Sequence, residues 1–205
     1  MARAYTLRRL RLATHNPGKV REFETLLAPT GVALDGMGDL PEPEETGDSF
    51  LANARLKAEA AVAATGEPAL ADDSGLVVPA LDGDPGIASA RWGGPQRDFG
   101  AAMDRVQMEL ASRLGTVTVD GTACAFVAVL VLAWPDGHVE TAEGRLEGTL
   151  HFPPLGDGGF GYDPIVRPLG ETRTCAELAP AEKAAISHRG RAVRALIERC
   201  WPQAK

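Results

Sequence analysis

Lysine, cysteine and long apolar runs are all scarce in this chain, and positive charge is not in excess. Lysine occurs only at Lys19, Lys57, Lys183 and Lys205, so arginine supplies most of the cations. The three cysteines, Cys124, Cys175 and Cys200, are odd in number, far apart and in no CxxC or Cys/His spacing. That excludes a disulfide framework and a zinc site, and points to a reduced, cytoplasmic setting. The longest mostly apolar run, Thr122 to Trp134, falls well short of the ~20 residues a helix needs to cross a bilayer. The N-terminus is arginine-rich but lacks the apolar core of a signal peptide. A formal net charge of −7 argues against a duplex-nucleic-acid binder. It leaves a small anionic substrate open, because a few local cations and a metal reverse the local field.

What is present is an ordinary globular composition, 44% hydrophobic and 24% charged over 205 residues. No linker, repeat or low-complexity tract divides it, so the whole of 1–205 is expected to be one domain of two lobes. The patterning predicts a first strand over Arg9 to Ala13 and a helix over Pro17 to Ala28, with Asn16 as N-cap. A short strand at Val32 to Leu34 precedes a long helix from Ser49 to Thr65, stopped by Gly66. Leu70 to Asp72 and Leu76 to Val78 read as short strands around a turn at Asp73-Ser74-Gly75. A helix over Arg97 to Arg113 is followed by strands at Thr116 to Val119, Thr122 to Trp134 and Val139 to Leu146. A strand at Ile165 to Arg167 and a helical stretch from Pro180 to Arg199 complete the chain. Helices and strands alternate at first and strands then cluster, which favours a mixed α/β domain around one long twisted sheet.

Five segments carry side chains suited to chemistry. Thr14 to Lys19 is a strand, a small polar turn and a helix N-terminus, where backbone N–H groups, the helix dipole and the Lys19 ammonium favour a phosphate. It is not a P-loop, and a plain capped helix start is the alternative. Glu44-Glu45 lies in an acidic, proline-rich loop: either a solvated pair or a Mg²⁺ ligand. Asp72 and Asp73 stand between apolar stretches. Adjacent strand residues face opposite sides, so one would work in a site and the other bond to structure; an Asx turn is the alternative. In Gly158 to Pro164, glycines flank Phe160, which suits stacking on a base, with Asp163 accepting from a ring N–H; a structural turn competes. Lys183 and Ser187 lie four apart, and His188 and Arg189 follow; Arg189 suits bidentate recognition of a phosphate or a base carbonyl, and a solvated helix face is the alternative. Lys57 and Lys205 read as solvated surface lysines.

Together these parts match what a nucleoside triphosphate needs: cations for phosphates, carboxylates for Mg²⁺ and an aromatic ring for a base. The chain also closely resembles the inosine/xanthosine triphosphate pyrophosphatase (Ham1-like) family. The resemblance is carried in order by ATHNPGK at 13–19, EETG at 44–47, Asn53-Ala54 and ADDSGL at 71–76, then Pro85-Gly86 and Ser89 to Arg91. It continues with GGFGYDP at 158–164, Ala176 to Leu178, Glu182-Lys183 and Ser187 to Gly190. The departures are His15 and the residue before Ala176, Cys175, where a larger apolar or aromatic side chain is expected.

The resemblance implies an α/β fold with a long, curved mixed central sheet flanked by helices, and two lobes with a nucleotide cleft between them. It implies a cytoplasmic homodimer that uses Mg²⁺ to hydrolyse ITP, dITP and XTP at the α–β phosphate bond, giving monophosphate and pyrophosphate. By position, Thr14, His15, Asn16, Pro17, Gly18 and Lys19 would hold the triphosphate. Glu44 or Glu45, with Asp73, would lie on the metal, and Asp73 would be the general base with Asp72 supporting it. Ser74, Phe160, Gly161, Tyr162, Asp163, Lys183, His188 and Arg189 would contact the nucleotide. A donor at the 6-oxo edge, from Arg189 or His188, would reject ATP; rejecting GTP needs a penalty at position 2 of the base. A pyrimidine-directed enzyme and a non-catalytic nucleotide sensor are the competing functions.

Overall fold

The computed structural model describes residues 2–204. Six strands form one sheet in the order β2-β1-β3-β4-β5-β6. They are β1 Arg9–Leu12, β2 Ala33–Asp35, β3 Ala69–Val77, β4 Ala123–Ala133, β5 Val139–Leu150 and β6 Val166–Pro168. The helices are α1 Pro17–Leu27, α2 Phe50–Thr65, α3 Phe99–Leu114, α4 Pro180–Ile186 and α5 His188–Cys200. β1 runs parallel to both β2 and β3, with Leu12 opposite Leu70, whereas β5 and β6 are antiparallel. The sheet is therefore mixed, in the α/β class that the patterning predicts. Among the described residues no helix is long and apolar enough to cross a membrane.

The helix ends follow their local chemistry. Asn16 caps α1 by accepting from Gly18 N–H at 2.8 Å and Lys19 N–H at 3.2 Å, and Pro17 takes the first helical position. Ser49 caps α2, and Gly66, with φ of 70°, ends it by sending its N–H to Val62 O. The long final helix breaks in two at Ser187, whose extended backbone separates α4 from α5.

Two expectations differ. Asp73-Ser74-Gly75 is not a turn but the middle of β3, a continuous nine-residue strand. The turn preference of Asp, Ser and Gly yields here because both aspartates find charged partners along an extended strand, as shown below. Thr116 to Val119 is not a strand. Gly115 turns left-handed at φ of 64°, and Thr116 Oγ1 accepts Thr118 N–H at 3.2 Å, a local bond that competes with sheet pairing.

The chain divides into two compact units, and the division falls within β3, β4 and β5. Unit 1 comprises 1–73, 128–144 and 188–205; unit 2 comprises 74–127 and 145–187. In unit 1 the period-2 alternation of the strands sorts residues onto two faces. Leu12, Leu70, Leu130 and Leu132 pack with Phe23 and Leu27 of α1 and with Val193 and Leu196 of α5. Ala13, Ala69, Ala71, Val131 and Ala133 pack with Ala54, Ala58 and Ala61 of α2. Unit 2 has its own core, in which Val106 and Leu110 of α3 meet Leu76, Phe126, Leu146, Leu150 and Ile165. All three cysteines are buried and none of them is in a disulfide. Full burial of a side chain such as Phe23, at 0% exposure, is worth about 1.5–3 kcal/mol.

Candidate active site

The two-faced sheet of unit 1 decides what each aspartate meets. Asp73 follows Ala69 and Ala71 at i+4 and i+2, so it belongs to the face covered by α2. Asp72 follows Leu70 and belongs to the face covered by α1 and α5. Both are buried, at 5% and 2% exposure.

On the α2 face, Lys57 Nζ lies 3.0 Å from Asp73 Oδ1 and 2.9 Å from Glu45 Oε1. Asn53, one helical turn before Lys57, donates from Nδ2 to Asp73 Oδ2 at 3.3 Å. The acidic loop is tied to the start of α2 through Gly47, whose N–H reaches Asn53 Oδ1 at 2.8 Å. A Cβ at Gly47 would stand 2.6 Å from that same Oδ1, so the glycine permits the approach that brings Glu45 to Lys57. Burial and the Glu45 charge raise the Asp73 carboxyl above its ordinary range, against the pull of Lys57. Burial opposes the Lys57 charge, but Asp73, Asp72 and Glu45 hold its ammonium above the usual value.

On the opposite face Asp72 is shared between two cations. Lys19 Nζ lies 3.0 Å from Oδ1, and Arg189 Nη2 and Nε donate to Oδ2 at 2.9 and 3.2 Å. Arg189 Nη1 also pairs with Glu22 of α1. Burial pushes the Asp72 carboxyl up, but Lys19, Arg189 and Lys57 outweigh it and hold it well below the carboxylate range. Burial lowers the Lys19 ammonium despite Asp72. Gly144 of β5 lets α5 close in: a Cβ there would sit 2.0 Å from His188 O and 2.5 Å from Ala192 N.

Several site residues fall elsewhere than the sequence suggests. Lys57 is not a solvated surface lysine: it is 4% exposed. The signal for this lay in the pattern, because Lys57 follows Ala54 by three and precedes Ala61 by four, inside the buried stripe of α2. The backbone N–H groups at the start of α1 are engaged by the cap: Asn16 Oδ1 takes those of Gly18 and Lys19, and Pro17 has none. Thr14 is buried and its Oγ1 accepts Asn16 N–H at 3.2 Å, while His15 is exposed. Arg189, at 1% exposure, directs these hydrogen bonds to carboxylates, so it ties α5 to β3 and α1 rather than presenting its fork to solvent. Glu44 is exposed, and among the described residues no three Asp, Glu, His or Cys side chains converge as a metal group.

Unit 2 arranges the glycine-rich segment around Asp163. Its Oδ2 accepts Phe160 N–H at 2.8 Å and lies 2.5 Å from Lys183 Nζ. The Lys183 ammonium in turn stands 4.8 Å from the Phe160 ring centroid. Asp163 thus organises its own loop and orients Lys183; it is 2% exposed. Gly159, with φ of 71°, is required, since a Cβ would meet Asp163 Oδ2 at 2.0 Å. Tyr162 donates its hydroxyl to Ser89 O at 2.8 Å, and burial raises its phenol above the ordinary value. Ser89 Oγ accepts Leu76 N–H at 3.0 Å and donates to Gly86 O at 2.6 Å, fixing the strand beside half-buried Ser74. Ser89 and Asn53 stand in the family-like segments, but their structural roles were not legible from spacing.

A model of the Ham1 family matches residues 10–199. A dITP/XTP pyrophosphatase of Rhodospirillum centenum is 57% identical over 196 residues, covering 93% of both chains. One from Gluconobacter oxydans is 52% identical, over 92% of this chain and 89% of that one. A HAM1 protein structure from Coxiella burnetii superposes with a TM-score of 0.83 at 36% identity, covering 93% of this chain and 96% of that one. A nucleoside-triphosphatase / dITP/XTP pyrophosphatase structure from Mycobacterium abscessus gives 0.70 at 42% identity, over 92% of this chain and 97% of that one. The chain belongs to the Ham1 family.

Proposed function

We propose that this chain hydrolyses deaminated purine nucleoside triphosphates, ITP, dITP and XTP, at the α–β phosphate bond, releasing the monophosphate and pyrophosphate. The observation that carries the reading is the buried carboxylate Asp73, joined to Glu45 through the Lys57 ammonium on one face of β3, while Lys19 pairs with Asp72 on the other. The relatives named dITP/XTP pyrophosphatase supply the substrate class.

Glu45 and Asp73 fit a hard divalent cation such as Mg²⁺, which takes one or two carboxylates and completes its shell with water and phosphate oxygens. Glu45 is the better candidate of the two glutamates, since it meets Lys57 beside Asp73 whereas Glu44 is exposed. Such an ion would neutralise phosphate charge as the bond breaks. The chain's own residues do the rest. Asp73 orients the attacking water and takes its proton, while the bridging P–O bond breaks and pyrophosphate leaves. A carboxyl raised by burial suits that proton transfer. Lys19 supplies cationic charge to the phosphates from the first turn of α1, with Thr14 to Gly18 as its loop. In unit 2, Phe160 offers a ring for base stacking, with Gly161 and Tyr162 shaping the loop and Ser74 and Lys183 as polar contacts. His188 or Arg189 donates to the 6-oxo group; a nucleotide reaching Arg189 competes with Asp72 and Glu22. A cytoplasmic homodimer completes the proposal.

Hydrolysis of ITP in ¹⁸O-water, followed by ³¹P NMR, tests the bond that is cut. Pyrophosphate plus monophosphate supports the reading; orthophosphate plus diphosphate refutes it. Asp73→Asn should lower the rate by at least about a hundredfold, in the range of a lost general base.

A further inference from the structure

Lys57 is a buried cation between two carboxylates that a divalent ion would also claim. Its ammonium is 2.9 Å from Glu45 Oε1 and 3.0 Å from Asp73 Oδ1, and its side chain is 5% exposed. The second Asp73 oxygen is not idle, because Asn53 Nδ2 donates to it at 3.3 Å. A divalent ion that takes Asp73 must therefore enter beside Lys57 or replace it. In a buried setting two like charges a few ångströms apart repel strongly, far more than in water. The lysine stem is long and flexible and its ammonium is a point charge, so it leaves one carboxylate more easily than a bidentate arginine would. A buried ion pair is in any case weak evidence of a purely stabilising role.

We propose that Lys57 is the resident counter-cation of this carboxylate pair: it holds Glu45 and Asp73 together and is displaced from Asp73 Oδ1 when a divalent cation binds. The proposal rests on the reading of Glu45 and Asp73 as metal ligands and adds to it an exchange of one cation for another. Lys57 is thus a positioning residue for the metal site. It keeps two like charges from driving apart the acidic loop and β3, and it sets a threshold that the incoming ion must overcome.

Two measurements on the full, EDTA-stripped chain test this. The first is Mn²⁺ and Mg²⁺ binding by calorimetry, without nucleotide, for the wild type, Lys57→Gln and the double variant Glu45→Gln/Asp73→Asn. Lys57→Gln should bind at least about tenfold more tightly, because a neighbouring charge of the same sign is gone, and the double variant should not bind. The second is acetylation of wild-type lysines with and without Mn²⁺, read by peptide mass spectrometry. Labelling of Lys57 should rise several-fold with metal, while Lys183, paired with Asp163, should not change. Absence of divalent binding in both wild type and Lys57→Gln would overturn the metal reading and this proposal with it. Binding lost in the double variant, but equal or weaker in Lys57→Gln, overturns the counter-cation role and leaves the metal reading standing. Flat Lys57 labelling on metal addition overturns displacement whatever the affinities are, and it decides the matter if Lys57→Gln does not fold.

Discussion

Asp72 and Arg189, 117 positions apart, meet through two hydrogen bonds to one carboxylate oxygen, Oδ2, at 2.9 and 3.2 Å, with both side chains at no more than 1% exposure. The other oxygen faces Lys19 at 3.0 Å. One carboxylate thus fixes the start of α1 and the start of α5 against β3. Replacing it leaves two buried cations without their main counter-charge. Asp72→Ala should cost about 3–5 kcal/mol in urea unfolding, the range for breaking a buried pair. Asp72→Asn, which keeps an acceptor, should cost less than Asp72→Ala. A loss below about 1 kcal/mol in Asp72→Ala would show that the pair is not the anchor described here.

The Lys183–Asp163 pair makes a different prediction, because it shapes a loop rather than joining helices to a strand. Lys183→Met removes the ammonium that stands 2.5 Å from the buried Asp163 Oδ2, the oxygen that also accepts Phe160 N–H. The ring of Phe160 loses its cation neighbour as well. Nucleotide KM should rise about tenfold, equivalent to about 1.4 kcal/mol, with a smaller change in kcat. Lys183→Arg, which keeps the charge, should recover part of the loss. A variant in which kcat falls and KM is unchanged would place Lys183 in the chemical step instead.

Stability at alkaline pH should report on the core of unit 2. Burial, with a smaller push from Glu147, raises the Cys124 thiol to about 12. The ordinary thiol value is about 8.5, so above it the unfolded chain loses a proton that the folded chain keeps. Stability from this group is full below about pH 8.5 and falls as pH rises towards 12, by up to about 1.4 kcal/mol per unit. Unfolding free energies at pH 8 and pH 10 should therefore diverge more in the wild type than in Cys124→Ala. Equal pH dependence in the two proteins would contradict the assignment.

Much of this was legible in the sequence, where local rules and tertiary context agreed. Asn16 and Pro17 start a helix and Gly66 ends one as capping chemistry requires. The alternation rule separated Asp72 from Asp73, and the two faces of β3 give them different partners. Elsewhere long-range contacts decided. Asp73-Ser74-Gly75 has turn chemistry, yet it stays extended because Lys57 and Asn53 reach Asp73, while Ser89 packs where Gly75 has no side chain. Composition makes a lysine a surface residue by default, and only the position of Lys57 within the alanine stripe of α2 overrides that. Arg189 was read as a ligand donor because its fork suits anions. The anions it meets here are Asp72 and Glu22, which no local pattern connects to it.

The most direct test of the whole account is pyrophosphate release from ITP, XTP, GTP, ATP and dTTP, each with Mg²⁺ and with EDTA, by the wild type and Asp73→Asn. The account predicts pyrophosphate from ITP and XTP in large excess over the other three, abolished by EDTA and lowered at least about a hundredfold in Asp73→Asn. Binding of ITP without pyrophosphate release, or release that Asp73→Asn leaves unchanged, would contradict it.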